Sequence, residues 1–454
     1  MKKMKRIAAM TAALLICSGN MGYMPEGTLK IGGFAASAAG VAVAESVEIN
    51  KTNFPDAVFH EYVAACFDTD KNGILSAEEI SAVTTIDVPD KGISDLTGIE
   101  HFTALETLSC QNNQLTSLDV SNNTVLWHLN CSNNKLITLD VSNNTALESL
   151  FCDLNQLTSL DLSNNTVLWH LDCYNNQLTS LDVSKNTALE ILACSNNQLT
   201  SLDVSKNTAL EMLACSNNQL TSLDVSKNTA LEFLSCTGNQ LTSLDASNCT
   251  SLKELDCYEN QLTSLDVSNN TALESLNCTG NQLTSLDVSN NAKLNTFYCD
   301  DNTYKIPLTD GKFDLSTLPT GFDIRKASDW TNGTVEGNIL TVEDDTKAIT
   351  YKYNCGYGET RITFSLITEN YVAPLALGDA NGDSAIDSSD ATLILSDYAD
   401  IAVGKASSFT DDQAKAADVN GDGKYDSIDA SLILAYYSHI QTGGTGTLEE
   451  FLNA

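Results

Sequence analysis

The chain has 454 residues, with 59 Asp and Glu against 24 Lys and Arg, for a net charge of −35 at pH 7. So acidic a surface repels a phosphate backbone, which excludes nucleic acid as a partner, and the length allows several domains. Acidic side chains cluster locally at spacings that suit calcium, so calcium is the expected charged ligand and cofactor.

Residues 1–44 read as an export signal. Lys2, Lys3, Lys5 and Arg6 precede an apolar core, Ile7–Cys17, and a small-residue stretch ends in Ala42-Val43-Ala44. Cleavage is expected there, with Ala38 as the alternative. The core is 11 residues long, whereas about 20 are needed to cross a bilayer. The bulky Ile16 beside Cys17 argues against a lipid anchor. The mature chain is therefore expected to be secreted, with no transmembrane segment.

Residues 45–103 contain the run DTDKNGILSAEE between two apolar-periodic segments. Asp68, Asp70 and Asn72 offer side-chain oxygens at alternate positions, Gly73 permits a sharp turn, and Ile74 offers its carbonyl. Ser76 takes the ninth position, and Glu79 closes the loop with two oxygens. The run resembles an EF-hand loop and implies calcium. Standing alone, it is expected to be an EF-hand-like helical cap over the apolar end of the neighbouring repeats.

Residues 104–302 repeat every 21 residues, with Cys at 110, 131, 152, 173, 194, 215, 236, 257, 278 and 299, and Asn three residues after each Cys. A fixed short period means a solenoid, here of ten coils. Each coil contains two apolar-alternating halves, as in Leu105-x-x-Leu108-x-Cys110 and Leu115-x-x-Leu118-x-Val120. Both are expected to form short parallel strands, with the Leu, Cys and Val columns inward. The pattern LxxLxCxxNxLxxLDV resembles the nested bacterial leucine-rich repeats. Cys249 departs from it, standing where Asn228 and Asn270 stand in neighbouring coils. The inward Cys column has no CxxC or His partner, so it reads as small buried hydrophobes with free thiols. Asp119 and its equivalents up to Asp287 would stack on one strand. Neighbouring pairs about 4.8 Å apart would repel by ~0.9 kcal/mol in water. Ser and backbone N–H groups of the neighbouring coil are expected to satisfy these carboxylates, in preference to a cation-binding ridge.

The TSLDVS half hardly varies, whereas the Cys half varies at its outward positions. Trp127, His128, Phe151, Trp169, His170, Tyr174, Phe233 and Tyr258 stand there, along with Ile191 and Met212. Aromatic side chains gathered on an outward strand face mark an interaction surface for a protein or a polysaccharide.

The period is lost after residue 302. Segments such as FDIRKASDW, NILTVED, AITYKYN and ETRITFSLI read as strands of a small β-domain over 303–372, in which Cys355 has no assigned role. A linker, 373–377, leads to two further calcium-type loops within 378–440, and residues 441–454 remain as a tail. Asp379, Asn381, Asp383, Ala385 (carbonyl), Asp387 and Asp390 form one ligand set. Asp418, Asn420, Asp422, Lys424 (carbonyl), Asp426 and Asp429 form the other. Each loop runs directly into a Leu/Ile-rich segment, and Thr410–Ala417 reads as an intervening helix with Thr410 as its N-cap. This duplicated Asp-closed loop resembles dockerin modules. Ser384 replaces the turn glycine of the first loop, where a positive φ is required, so that loop is expected to bind calcium more weakly.

The resemblance implies a partner: a cohesin module on the scaffold protein of a cellulosome, an extracellular complex that degrades plant cell walls. In dockerins the two residues before the closing Asp help select the cohesin, and here they are Ser388 and Ser389, then Ser427 and Ile428. The expected architecture is multidomain. It comprises a β-rich leucine-rich-repeat solenoid with an EF-hand-like cap, a small β-domain and an all-α, calcium-binding dockerin. Recognition without catalysis is the expected function, because no nucleophile elbow, zinc motif or phosphate loop occurs. A cellulosomal hydrolase with an unrecognised active site and a surface adhesin are the alternatives.

Overall fold

The computed structural model describes residues 46–371, 373 and 375–453. The expected leader, 1–44, and Pro374 of the expected linker lie outside the described residues. Among the described residues no helix is long and apolar enough to cross a membrane. The described residues form two compact units, divided between Glu369 and Asn370.

The first unit begins with β1 (Val47–Glu48), α1 (Ala57–Cys66), β2 (Ile74–Leu75) and α2 (Ala77–Ala82). Asp56 caps α1 by accepting from the Val58 and Phe59 N–H groups, and Ser76 with Glu79 forms a capping box on α2. The outer loop strand does not pair with a second calcium loop. Instead β2 pairs antiparallel with β1. Phe54, Phe59, Val63, Leu75 and Ile80 join the same core as the first coils, so the helical segment covers apolar surface that a bare coil would expose.

Next comes an 11-stranded parallel sheet. Its strands are β3 (Thr85–Asp87), β4 (Thr107–Ser109), β5 (His128–Asn130), β6 (Ser149–Phe151), β7 (His170–Asp172) and β8 (Ile191–Ala193). They continue with β9 (Met212–Ala214), β10 (Phe233–Ser235), β11 (Glu254–Asp256), β12 (Ser275–Asn277) and β13 (Thr296–Tyr298). Register is unbroken: Leu108 pairs with Leu129, Leu129 with Leu150, and Leu150 with Leu171, each coil repeating the last. The Leu and Cys columns are fully buried, and all the described Cys are free. Burial pushes the thiols up, to about 12 for Cys110.

The second strand expected in each coil is absent. On the Leu-Asp-Val side a single isolated bridge, Asp119 to Asp140, links neighbouring coils. Side chains explain this. Oδ1 of Asp119 accepts the Ser121 N–H two residues on at 2.9 Å, and the same turn recurs at Asp140, Asp161 and beyond. The carboxylates are therefore satisfied within their own coil, not by the neighbouring one, and these bonds lower their pKa values. Coils are tied together here by Asn amides: Nδ2 of Asn144 donates to the Val120 and Asn123 carbonyls at 2.9 Å. At Cys249 this tie is reduced to a thiol donating to the Val225 carbonyl.

A second Asn column stitches the strand side. Nδ2 of Asn197 donates to the Cys173 and Cys194 carbonyls at 3.0 and 3.1 Å, and its Oδ1 accepts the Leu178 N–H at 2.9 Å. Each buried turn thus has its backbone groups paired across coils.

Beyond β13 the segment expected as a small β-domain forms two small sheets. One joins β14 (Thr303–Lys305), β20 (Ile362–Ile367), β19 (Ile349–Tyr353) and β16 (Ala327–Thr331); the other joins β15 (Lys312–Asp314), β18 (Ile339–Val342) and β17 (Gly333–Glu336). Their core is continuous with the solenoid. The Val288 N–H donates to the Cys355 carbonyl, the Tyr351 hydroxyl donates to the Thr284 carbonyl, and Lys326 pairs with Asp287. Cys355, unassigned from sequence, is fully buried at the end of the Cys column, where its charge would act on Cys278.

The second unit contains α3 (Ser388–Ala402), α4 (Asp411–Ala417), α5 (Ser427–Gln441) and α6 (Leu448–Leu452). Ala391 and Ile394 of α3 pack with Ala430 and Ile433 of α5 around Ala380, Ala417 and Val419. Thr410 caps α4 through the Gln413 N–H. The segment 441–454 is more than a tail: α6 buries Leu448 in this core, and the Tyr436 hydroxyl donates to the Gly446 carbonyl.

Candidate functional site

Two regions collect chemistry. In the second unit each acidic loop ends as the N-cap of a helix. Asp379 accepts N–H groups from Gly382, Asp383 and Ser384, while Asp390 accepts those of Asn381 and Asp387. The second loop repeats this: Asp418 accepts from Asp422 and Gly423, and Asp429 from Asn420 and Asp426. Asp390 and Asp429 are fully buried. Burial, then the neighbouring loop carboxylates, raise both pKa values against the lowering effect of the backbone bonds. A buried carboxylate facing other carboxylates is chemistry a divalent cation would relieve, and the set is all hard oxygen. Asn381, Asp383 and Asp387 of the first loop, and Asn420, Asp422 and Asp426 of the second, stand at the remaining side-chain positions. Ala385 and Lys424 stand at the carbonyl positions. Ser384 has φ 69°, against 84° for Gly423 at the equivalent turn. Ser388, Ser389, Ser427 and Ile428 are all exposed at the starts of α3 and α5. They are not equivalent, since the Ser389 hydroxyl donates to Asp387 and accepts from Asn381, a role Ile428 has no group to take.

In the cap, ligand oxygens of Asp68, Asp70 and Glu79 lie within 4.8 Å of one another. Asp68 accepts the Asn72 and Gly73 N–H groups, and Asn72 accepts that of Ile74. Hydrogen bonds from Thr69, then Ser76, hold the Glu79 carboxyl down to about 2.

On the sheet face the aromatic positions form a chain of ring contacts. Phe151 lies between His128 and His170, with centroids 5.5 and 4.6 Å away. Trp127 packs on His128 at 5.6 Å, and Trp169 on His170 at 5.3 Å. His128 Nδ1 bonds Ser149 Oγ at 2.7 Å, and His170 Nε2 meets Asp172 at 3.0 Å. Trp127, His128, Phe151, Trp169 and Tyr174 are half-buried, as is Tyr258 in a separate coil.

Part of this outward set is nonetheless covered. His170 is 2% exposed and Phe233 7%, while Ile191 and Met212 are 1% exposed. Like side chains stacked about 4.8 Å apart in unbroken register cover one another. Ile191, Met212 and Phe233 form a second apolar cluster with Ala193 and Ala214, with Trp169 and Tyr174 packed against it. Acids and hydroxyls share this face with the rings, among them Asp153 and Asp172 at outward positions that vary from coil to coil. Asp153 is 4% exposed and accepts from the Ser132 hydroxyl at 2.6 Å. Burial, with Asp172 nearby, pushes its carboxyl up to about 6, while burial beside His170 pulls His128 down to about 4. Ser132, missed from sequence, occupies the same variable offset as Asp153 and Tyr174, which is the signal that could have found it.

This fold and these loops define a class: a leucine-rich-repeat solenoid followed by a dockerin. Comparison with known proteins agrees with both parts. Residues 377–436 match the dockerin type I domain, and residues 229–270 and 250–291 match leucine rich repeats (2 copies). Internalin J of Listeria monocytogenes (serotype 4b, strain F2365) is 44% identical over 71 residues, covering 16% of this chain and 8% of that protein. Among solved structures, an internalin (inlF) from the same organism is 24% identical, covering 58% of this chain and 81% of that one, with a TM-score of 0.55. The functional domain of InlJ, described as including a cysteine ladder, is 28% identical over 73% of this chain and 100% of that one, with a TM-score of 0.45. The matched families are repeat and dockerin modules, and no catalytic domain is among them.

Proposed function

We propose that this chain is a secreted, non-catalytic recognition subunit of a cellulosome. Its dockerin docks calcium-dependently onto a cohesin of a scaffold protein, and its repeat array presents a binding face to a protein or plant polysaccharide. The observation that carries this reading is the pair of buried closing carboxylates, Asp390 and Asp429, each at the start of one of two packed helices in a segment matching dockerin type I. Calcium would be held by the two loop sets named above, where it supplies positive charge to oxygens that otherwise oppose one another. The loops cap α3 and α5, so ion binding and helix packing are coupled. The inequivalence of Ser389 and Ile428 supports docking in one orientation. The loop Asp68–Glu79 is proposed as a third, structural calcium site that fastens the cap.

The test is capture of the full chain by immobilised cohesins, with and without chelator. Capture should need calcium, and Asp379→Ala with Asp418→Ala should abolish it while the β-sheet circular dichroism stays unchanged. Cohesin capture that survives both chelator and the double variant would defeat the reading, as would helicity indifferent to calcium.

A further inference from the structure

Resting on the reading that the array presents a recognition face, we propose that Trp127 and Trp169 form a two-platform track for a β-1,4-linked glucan chain. Two of the three Trp in the chain stand in one column, two coils apart. The backbone places them: the Glu148 N–H donates to the Trp127 carbonyl at 2.8 Å, and the Trp169 N–H to the Glu148 carbonyl at 2.9 Å. Two coils of this ladder span roughly 9.6 Å. Each indole meets its following His ring at the same interplanar angle, 51°, with centroids 5.6 and 5.3 Å apart. The two indoles thus stand at equivalent positions of one column, each packed against the His ring that follows it. Phe151 lies between the two His rings and links the two pairs.

A β-1,4-linked glucan in its flat two-fold form turns each sugar over relative to the last. The same ring face then recurs at every second sugar, close to the interval of two coils. Pyranose faces are apolar and stack on indole, while their hydroxyls point to the ribbon edges and donate to carboxylates. The column supplies both in alternation, running Glu106, Trp127, Glu148, Trp169, Glu190, with Glu106 exposed and the other four half-buried. The same carboxylates, on a chain of net charge −35, repel a polyuronic acid and select a neutral chain. Further along, Glu211 and Glu232 continue the column without an aromatic ring, so the track has two platforms and requires at least three sugars to bridge them.

The experiment uses the full chain with calcium, titrated with cellobiose, cellohexaose, xylohexaose and polygalacturonate. Calorimetry and tryptophan fluorescence provide the readouts, and cohesin capture is measured on the same samples. Cellohexaose should bind, cellobiose at least tenfold more weakly, the three-fold-twisted xylohexaose more weakly than cellohexaose, and polygalacturonate not at all. Trp127→Ala and Trp169→Ala should each weaken cellohexaose binding at least fivefold. Trp169→Phe should restore part of it, and Trp330→Ala should leave it unchanged. The proposal is overturned by natively folded, cohesin-competent protein that ignores cellohexaose. It is equally overturned by binding that both Trp→Ala variants leave intact, or by capture of a protein partner through these indoles with no glucan bound. In each of those cases intact cohesin capture leaves the docking function standing, whereas its loss would count against that function separately.

Discussion

Asp153 gives the sharpest energetic test of the sheet face. Its carboxyl is buried, held by Ser132 and close to Asp172, and is pushed up to about 6. Raising an aspartate from about 3.9 to about 6 disfavours its charged form in the fold by about 3 kcal/mol. Because the folded chain binds this proton more tightly than the unfolded chain, Asp153 destabilises the protein above pH 6. That penalty disappears as pH falls through 6 towards 3.9. His128 does the opposite. Pulled down to about 4 by burial, and then by His170, it contributes stability that is present above 6.5 and lost as pH falls towards 4, again about 3 kcal/mol. The two effects nearly cancel over the same window.

Asp153→Asn removes one of them. The amide oxygen still accepts from Ser132 and the new N–H₂ lies near the Asp172 carboxylate, while the Tyr174 hydroxyl, which donates to the native carboxylate, must share that oxygen or turn to accept. The variant should therefore be more stable than the parent by about 2 kcal/mol at pH 7.5, less than the full penalty because an amide must find a donor's partner. The gain should shrink to near zero by pH 4. Urea unfolding at a series of pH values, with calcium held constant, measures it. Fluorescence reports the right region, since Trp127 and Trp169 sit on the same ring chain. A stability difference that is independent of pH, or a variant less stable than the parent at pH 7.5, would refute the assignment of a buried, neutral-seeking carboxyl.

Particular geometry sets three more outcomes. Ser384→Gly removes a left-handed backbone strain at φ 69° worth about 1 kcal/mol, so the first dockerin loop should bind calcium about fivefold more tightly by calorimetry; unchanged affinity would contradict it. Asn197→Ala breaks three buried bonds, two of them between coils, and should cost about 2–4 kcal/mol, against near zero for the exposed Lys206→Ala in the same coil, as read by thermal unfolding. Among the described residues only Cys66 is exposed, and burial raises the Cys column. A thiol reagent should therefore titrate Cys66 at once and the column only with unfolding, and prompt reaction of several thiols would show the column to be open.

The columns were legible because each repeats its residue at a fixed offset: inward Leu, inward Cys, bridging Asn. The calcium-type loops were legible because hard-oxygen ligands need alternate positions. The Leu-Asp-Val half was misread because its apolar alternation matches that of the strand half. Hydrogen bonding separates the two, and alternation carries no hydrogen-bond information: Asp119 folds onto Ser121, and Asn144 takes over the coil-to-coil link. The burial of Ile191, Met212 and Phe233 was missed for a related reason. A two-residue period says which side a side chain leaves from, but not that its equivalents one coil away cover it. The helix Leu448–Leu452 was passed over because five residues carry too little periodicity to read, although Thr447 and Glu450 spell a capping box.

The same distinction bears on function. Scaffold columns repeat because each lapse is costly in stability, and Cys249 shows what one lapse loses. The outward columns are free of that constraint, and most coils fill the offset of Asp153 with neutral residues, such as Ser132, Ser195, Ser216 and Thr237. A buried acid there is costly at neutral pH, and it lies among the coils that carry the two indoles, the two His rings and Phe151. Locally unfavourable choices concentrated on one face, while the rest of the array obeys its rules, are the pattern of a site shaped for a ligand and not for the fold. The coils from Leu189 to Ala230 repeat Leu-Glu-x-Leu-Ala-Cys almost without change and bury their outward residues.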